Sequence, residues 1–148
     1  YGRGGSPLQN LIARGHESTK LTALRMAEDI DAGPIYAQCD LALQGRAQDI
    51  FENMADKVYY LIAYIINNEP EPVPQEGEPV YFRRRTPAMS ELPETGDIAD
   101  LYDHIRMLDA DTYPHAFIDH GDYRLIFTDA QLDANETVQA TISIRKKE

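Results

Sequence analysis

The chain has a single cysteine, Cys39, and no cluster of cysteine and histidine at metal-ligand spacing. A disulfide framework is excluded. Cys39 lies inside a β-type run and reads as a small apolar side chain in a reducing, cytoplasmic compartment. His16, His104, His115 and His120 are scattered, so each reads as a surface or hydrogen-bonded histidine and no metal site is expected. No apolar run approaches ~18 residues, and no basic-then-apolar stretch opens the chain, so neither a membrane span nor a signal peptide is expected. Positive charge is scarce as well: 14 Lys and Arg against 25 Asp and Glu leave a formal net charge of −11, spread evenly. RNA would meet repulsion over most of such a surface, which disfavours nucleic acid as a partner. The one basic run, Arg83-Arg84-Arg85, is too short to reverse that. An initiator methionine is also missing, and the first residues read like the middle of a fold. The expectation is a fragment of a longer protein.

What is present fits an ordinary globular chain. At 148 residues, with 43% hydrophobic and 26% charged residues, it suffices for one compact domain or a little more. The glycine-rich lead-in Tyr1-Gly2-Arg3-Gly4-Gly5 would let a ligand approach backbone, but no Gly-Lys-Ser/Thr follows, so it is not a phosphate-binding loop. Ser6-Pro7-Leu8-Gln9 reads as a capping box opening a short helix with Leu8, Leu11 and Ile12 inward and Gly15 as its stop. Strands are expected over 19–26 and 34–43. The acidic turn between them presents Asp31, backed by Ala32, Gly33 and Pro34. Such a turn leaves backbone amides and carbonyls bare for a flat heterocycle, and it equally suits an acidic hairpin corner.

A helix is expected over 47–67, with Ile50, Phe51, Met54, Val58, Leu61, Ile62 and Ile65 forming a stripe packed on a sheet. Pro70, Pro72 and Pro74 then break regular structure, which places the domains at 1–74 and 75–148. Further along, a strand is expected over 80–82. A helix follows over 97–108, with Ile98, Leu101, Ile105 and Leu108 inward and Arg106 solvated. A hairpin over 116–118 and 123–127 and a last strand over 138–144 complete the chain. The class is α/β, followed by a small α+β unit.

Two of these stretches, in this order and at this separation, are informative together. Arg3-Gly4-Gly5-Ser6-Pro7-Leu8-Gln9 and Ile30-Asp31-Ala32-Gly33-Pro34-Ile35-Tyr36 resemble the Arg-Gly-x-x-Pro-x-Gln and (Leu/Ile)-Asp-x-Gly stretches of the formyltransferase family. That family includes methionyl-tRNA formyltransferases and amino-sugar N-formyltransferases. Arg85-Thr86-Pro87 and the helix-plus-β tail are similar to its C-terminal subdomain.

The resemblance covers essentially the whole chain and leans toward the amino-sugar branch. It implies the C-terminal half of a Rossmann-like formyltransferase domain, followed by a small helix-plus-antiparallel-β subdomain. It also implies transfer of a formyl group from N10-formyltetrahydrofolate to a primary amine, that of a nucleotide-linked amino sugar. Methionyl-tRNA is the alternative acceptor. A non-catalytic module whose tail edge strands serve oligomerisation is a third reading. A homodimer is the commonest closed arrangement.

By the same resemblance Asp31 is the catalytic carboxylate, orienting a histidine of an upstream Asn-x-His stretch and helping to take the amine proton. Ile30, Ala32, Gly33 and Pro34 would contact the pterin ring. Arg3, Gly4, Gly5 and Ser6 would line the acceptor side or brace the catalytic loop. The chemistry needs such groups, because a protonated amine is no nucleophile and oxyanion donors are worth ~3–4 kcal/mol each. No Asn-x-His occurs in this sequence, so the chain alone is expected to be inactive or nearly so.

Overall fold

The computed structural model describes residues 1–147. They form two compact units: Tyr1–Gln44 with Asp49–Arg84, and Gly45–Gln48 with the residues from Arg85 onward. The α/β class with a small α+β tail holds. No helix among the described residues is long and apolar enough to cross a membrane.

The first unit contains β1 (Arg3–Gly4), α1 (Pro7–Ile12), β2 (Ser18–Leu24), β3 (Ile35–Ala42), nearly all of α2 (Ala47–Asn68) and β4 (Tyr81–Phe82). β2 and β3 pair antiparallel, Ser18 opposite Ala42 through Leu24 opposite Ile35, with an irregularity at Ala23/Leu24. β1 and β4 pair in parallel, Arg3 opposite Tyr81 and Gly4 opposite Phe82. Glycine permits this pairing. A Cβ on Gly4, at φ +102°, would lie 2.7 Å from the Phe82 carbonyl oxygen, and one on Gly5 2.4 Å from the Arg84 Cα. Because β4 returns to β1, the first unit runs past the proline segment to Arg84, beyond the boundary expected at Pro74.

Two expectations for the helices change. Ser6 lies in the left-handed region, φ 49°, and makes no side-chain cap hydrogen bond to α1, since that function needs an extended backbone. The Asn10 amide ties the lead-in together instead, its Nδ2 donating to the carbonyl oxygens of Gly5 (3.1 Å), Ser6 (3.0 Å) and Arg83 (3.0 Å). On α2, Ile50 and Leu61 are buried, but Val58 and Ile62 are 38% and 49% exposed, so the stripe is covered only in part.

The second unit holds a 3-10 turn (Pro87–Ser90), α3 (Ile98–Arg106), β5 (Ala116–His120), β6 (Tyr123–Leu132) and β7 (Val138–Lys146). The last three form one antiparallel sheet in the order β5-β6-β7. Its core is Ile105, Met107, Leu108, Ala110 and Ala116, each at most 2% exposed. Arg106 is not solvated as expected. It is buried, with Nε donating to Asp103 Oδ1 at 2.6 Å and a terminal nitrogen donating to the Gly45 carbonyl at 2.9 Å. The helical period marks faces but cannot see a carbonyl brought in from a distant loop.

Candidate functional site

The turn between β2 and β3 is closed by the Arg25 N–H donating to the Pro34 carbonyl at 2.8 Å. Gly33 is buried there, and a Cβ on it would lie 1.8 Å from the Arg25 carbonyl oxygen, so no other residue fits without moving the turn. Asp31 sits at φ 57°, a left-handed conformation that aspartate tolerates better than most residues. Its Oδ2 accepts the Gly4 N–H at 2.9 Å, which turns the carboxylate toward the lead-in before α1.

A third segment joins these two. Val73 and Ile35 exchange both backbone hydrogen bonds, at 2.7 and 2.9 Å, and this carries the chain after α2 alongside the start of β3. Two residues on, Gln75 Nε2 donates to the carbonyls of Asp31 (2.8 Å) and Gly33 (2.7 Å). Its Oε1 accepts from the Arg3 guanidinium at 2.8 Å. Arg3, Gly4, Asp31 and Gly33 are thus brought together. Gly5 and Ser6 instead serve the packing of the lead-in: the Gly5 N–H donates to the Phe82 carbonyl at 3.1 Å, and both carbonyls face Asn10. Ile30 is 76% exposed at the rim of the turn, Ala32 donates to the Asp29 carbonyl at 3.4 Å, and the Pro34 carbonyl is committed to Arg25.

Sequence reasoning missed Gln75. It lies in a stretch of prolines and acidic residues with no periodicity, and only the register of Val73 on Ile35 aims it at the turn.

Arg3 Nε is buried and has no hydrogen-bond partner among the described residues. In the segment between β2 and β3, Met26 and Ile30 expose 93% and 76% of their surface. The four histidines have other surroundings. His16 packs edge-on to Tyr1, with ring centroids 5.4 Å apart, and His104 Nε2 reaches the Ser90 carbonyl at 3.4 Å. His115 lies 3.7 Å from Asp109, and His120 ends β5. Burial pushes the His104 imidazole below its ordinary value. Among the described residues no three His, Cys, Asp or Glu side chains are grouped to hold a metal.

In the second unit, Asp119, Arg124, Arg145 and Lys147 line a shallow concavity of about 340 Å³. Arg124 donates twice to Asp119, at 2.7 and 2.9 Å, and holds its carboxyl below the usual carboxylate range.

Comparison with known proteins places both units. Residues 87–145 match the family model described as the methionyl-tRNA formyltransferase C-terminal domain. The methionyl-tRNA formyltransferase of Bacillus thuringiensis (strain Al Hakam) is 30% identical over 115 residues, which cover 72% of this chain and 36% of the relative. The chain thus spans about a third of the length of the curated relatives it matches. The structure of methionyl-tRNA formyltransferase from Clostridium thermocellum aligns over 99% of this chain and 64% of its own, with 42% identity and a TM-score of 0.94. Two more remote structures share the fold. HypX from Aquifex aeolicus in complex with tetrahydrofolic acid is 18% identical, with TM-score 0.67 over 88% of this chain and 24% of its own. The N-formyltransferase from Helicobacter canadensis in complex with folinic acid and dTDP-3-aminofucose is 18% identical, with TM-score 0.62 over 84% and 57%.

Proposed function

The chain belongs to the formyltransferase family, and from that premise we propose that it carries the folate-side corner of an enzyme that formylates a primary amine. The acceptor we favour is methionyl-tRNA, rather than the amino sugar expected from the sequence. Relatives at 30% and 42% identity are methionyl-tRNA formyltransferases, whereas the sugar N-formyltransferases lie at 17–18%.

The observation that carries the reading is the Asp31 carboxylate, held at 2.9 Å by the Gly4 amide on a turn that Gly33 makes possible. N10-formyltetrahydrofolate, when bound, supplies the electrophilic formyl carbon. The chain's own groups act on position and protons. Met26 and Ile30 offer the apolar surface and residues 30–34 the backbone against which a pterin ring would lie. The acceptor amine must shed a proton before or as its nitrogen bonds to carbon. With Oδ2 held by Gly4, Asp31 Oδ1 is the oxygen left to take that proton or to orient the base that does.

A tRNA acceptor has to overcome a net charge of −11. Arg83, Arg84, Arg145, Lys146 and Lys147 are among the exposed cations and could meet phosphate. The test is formyl transfer by the native-length protein from N10-formyltetrahydrofolate, with methionyl-tRNA and a nucleotide-linked amino sugar offered separately. We expect formylmethionyl-tRNA, with kcat/KM falling steeply as salt rises. Higher kcat/KM on the sugar would restore the amino-sugar acceptor. Transfer to neither would remove the enzymatic reading.

A further inference from the structure

We propose that Gln75 is the positioning residue of this corner: its side-chain amide fixes the Asp31 turn against the lead-in, so that the carboxylate and the ring-binding backbone are held before ligand arrives. The inference rests on the reading of residues 30–34 as the folate contact, and it adds a residue from outside both recognisable motifs.

Three hydrogen bonds carry it. Gln75 Nε2 reaches the Asp31 and Gly33 carbonyls at 2.8 and 2.7 Å, and Oε1 accepts from Arg3 at 2.8 Å. The two carbonyls flank Ala32, so one amide nitrogen pins the turn on both sides of its tip. The opposite end of the same amide grips Arg3, the neighbour of the Gly4 whose N–H holds the carboxylate. A side chain that donates from one end and accepts at the other is required here. Glutamine has both ends, and glutamate has only acceptors. Asp31 also needs this help. It sits at φ 57°, a conformation that a neighbouring structure must hold in place. Gln75 is itself aimed by Val73, fixed on Ile35 through two backbone bonds. The clamp thus runs from β3 through Gln75 to β1, entirely inside the first unit.

Glutamine-to-glutamate separates the two ends of the clamp. Gln75→Glu keeps, and as an ion pair strengthens, the link to Arg3, but it sets an oxygen against the two turn carbonyls. Gln75→Ala removes both. In the native-length protein the comparison uses hydrogen exchange of the amides over 29–34, calorimetric affinity for folinic acid, the split between KM and kcat, and the melting temperature.

We expect both variants to speed exchange over 29–34 at least ~10-fold and to weaken folinic acid binding ~10-fold or more. The rise in KM for the folate should exceed the loss in kcat, and the melting temperature of Gln75→Ala should fall by roughly 4–12 °C, in step with the three hydrogen bonds it loses. Recovery of binding in Gln75→Glu would mean that only the Arg3 link matters, and it would overturn the clamp. Unchanged exchange and affinity in Gln75→Ala, with folinic acid protecting 30–34 in the wild type, would sink the clamp and leave the site reading standing. If folinic acid protects nothing over 30–34 in the wild type, the site reading fails and the clamp falls with it.

Discussion

Gly33→Ala is a small change with a large expected consequence. The added methyl would begin 1.8 Å from the Arg25 carbonyl oxygen, and ordinary contact starts at 3.4 Å, so the two arms of the turn must part by about 1.6 Å. That opening breaks the 2.8 Å bond from Arg25 N–H to the Pro34 carbonyl and pulls the Gly33 carbonyl from Gln75. Two hydrogen bonds at ~1 kcal/mol each, with ~1–3 kcal/mol of overpacking, give a cost of about 3–5 kcal/mol. For a chain of this size that lowers the melting temperature by roughly 6–20 °C. Displacing Asp31 by even ~1 Å would cost ~100-fold in kcat/KM on top of the stability loss. Thermal unfolding followed by circular dichroism, alongside formyl transfer by the native-length protein, measures both. A variant melting within ~2 °C of wild type at undiminished kcat/KM would show that the turn yields freely and is not a built corner.

Three further outcomes follow from other parts of the fold. Arg106→Ala leaves the Asp103 carboxylate and the Gly45 carbonyl without their buried partner, and should destabilise by about 2–4 kcal/mol in denaturant unfolding; a loss under ~1 kcal/mol would contradict that role. Asn10→Ala removes the amide shared by three carbonyls and should cost about 1–2 kcal/mol with little change in the second unit's amide exchange. His104 is pushed below its ordinary value of 6.5 by burial, so the unfolded chain binds its proton more readily. Stability should therefore fall as pH drops below 6.5, and His104→Gln should flatten that part of the profile; an unaltered profile would assign the pH dependence elsewhere.

The hairpin β2–β3, helices α2 and α3 and the three-stranded tail sheet were legible in the sequence, because each runs long enough for a period of 2 or 3.6 to repeat. The pairing of β1 with β4 was not. Strands of two residues carry no period, and the parallel contact depends on glycines whose meaning appears only once Phe82 lies opposite. Ser6 has the composition of a helix cap but the dihedrals of a left-handed bend, which residue type alone does not reveal. Arg106 occupies a helix position that reads as polar surface, yet it turns inward because Gly45 offers it a carbonyl. At the candidate site, motif order led to Arg3, Gly4, Asp31 and Gly33. The residue that ties them together, Gln75, sits in a segment where proline erases every local signal.

The most direct test of the account is Asp31→Asn, which keeps the shape of the side chain and its ability to accept the Gly4 N–H while removing the carboxylate's capacity to take a proton. In the native-length protein, single-turnover formyl transfer from saturating N10-formyltetrahydrofolate should slow by at least ~100-fold, with folinic acid affinity changed only slightly. Transfer at the wild-type rate would show that this carboxylate takes no part in the chemistry.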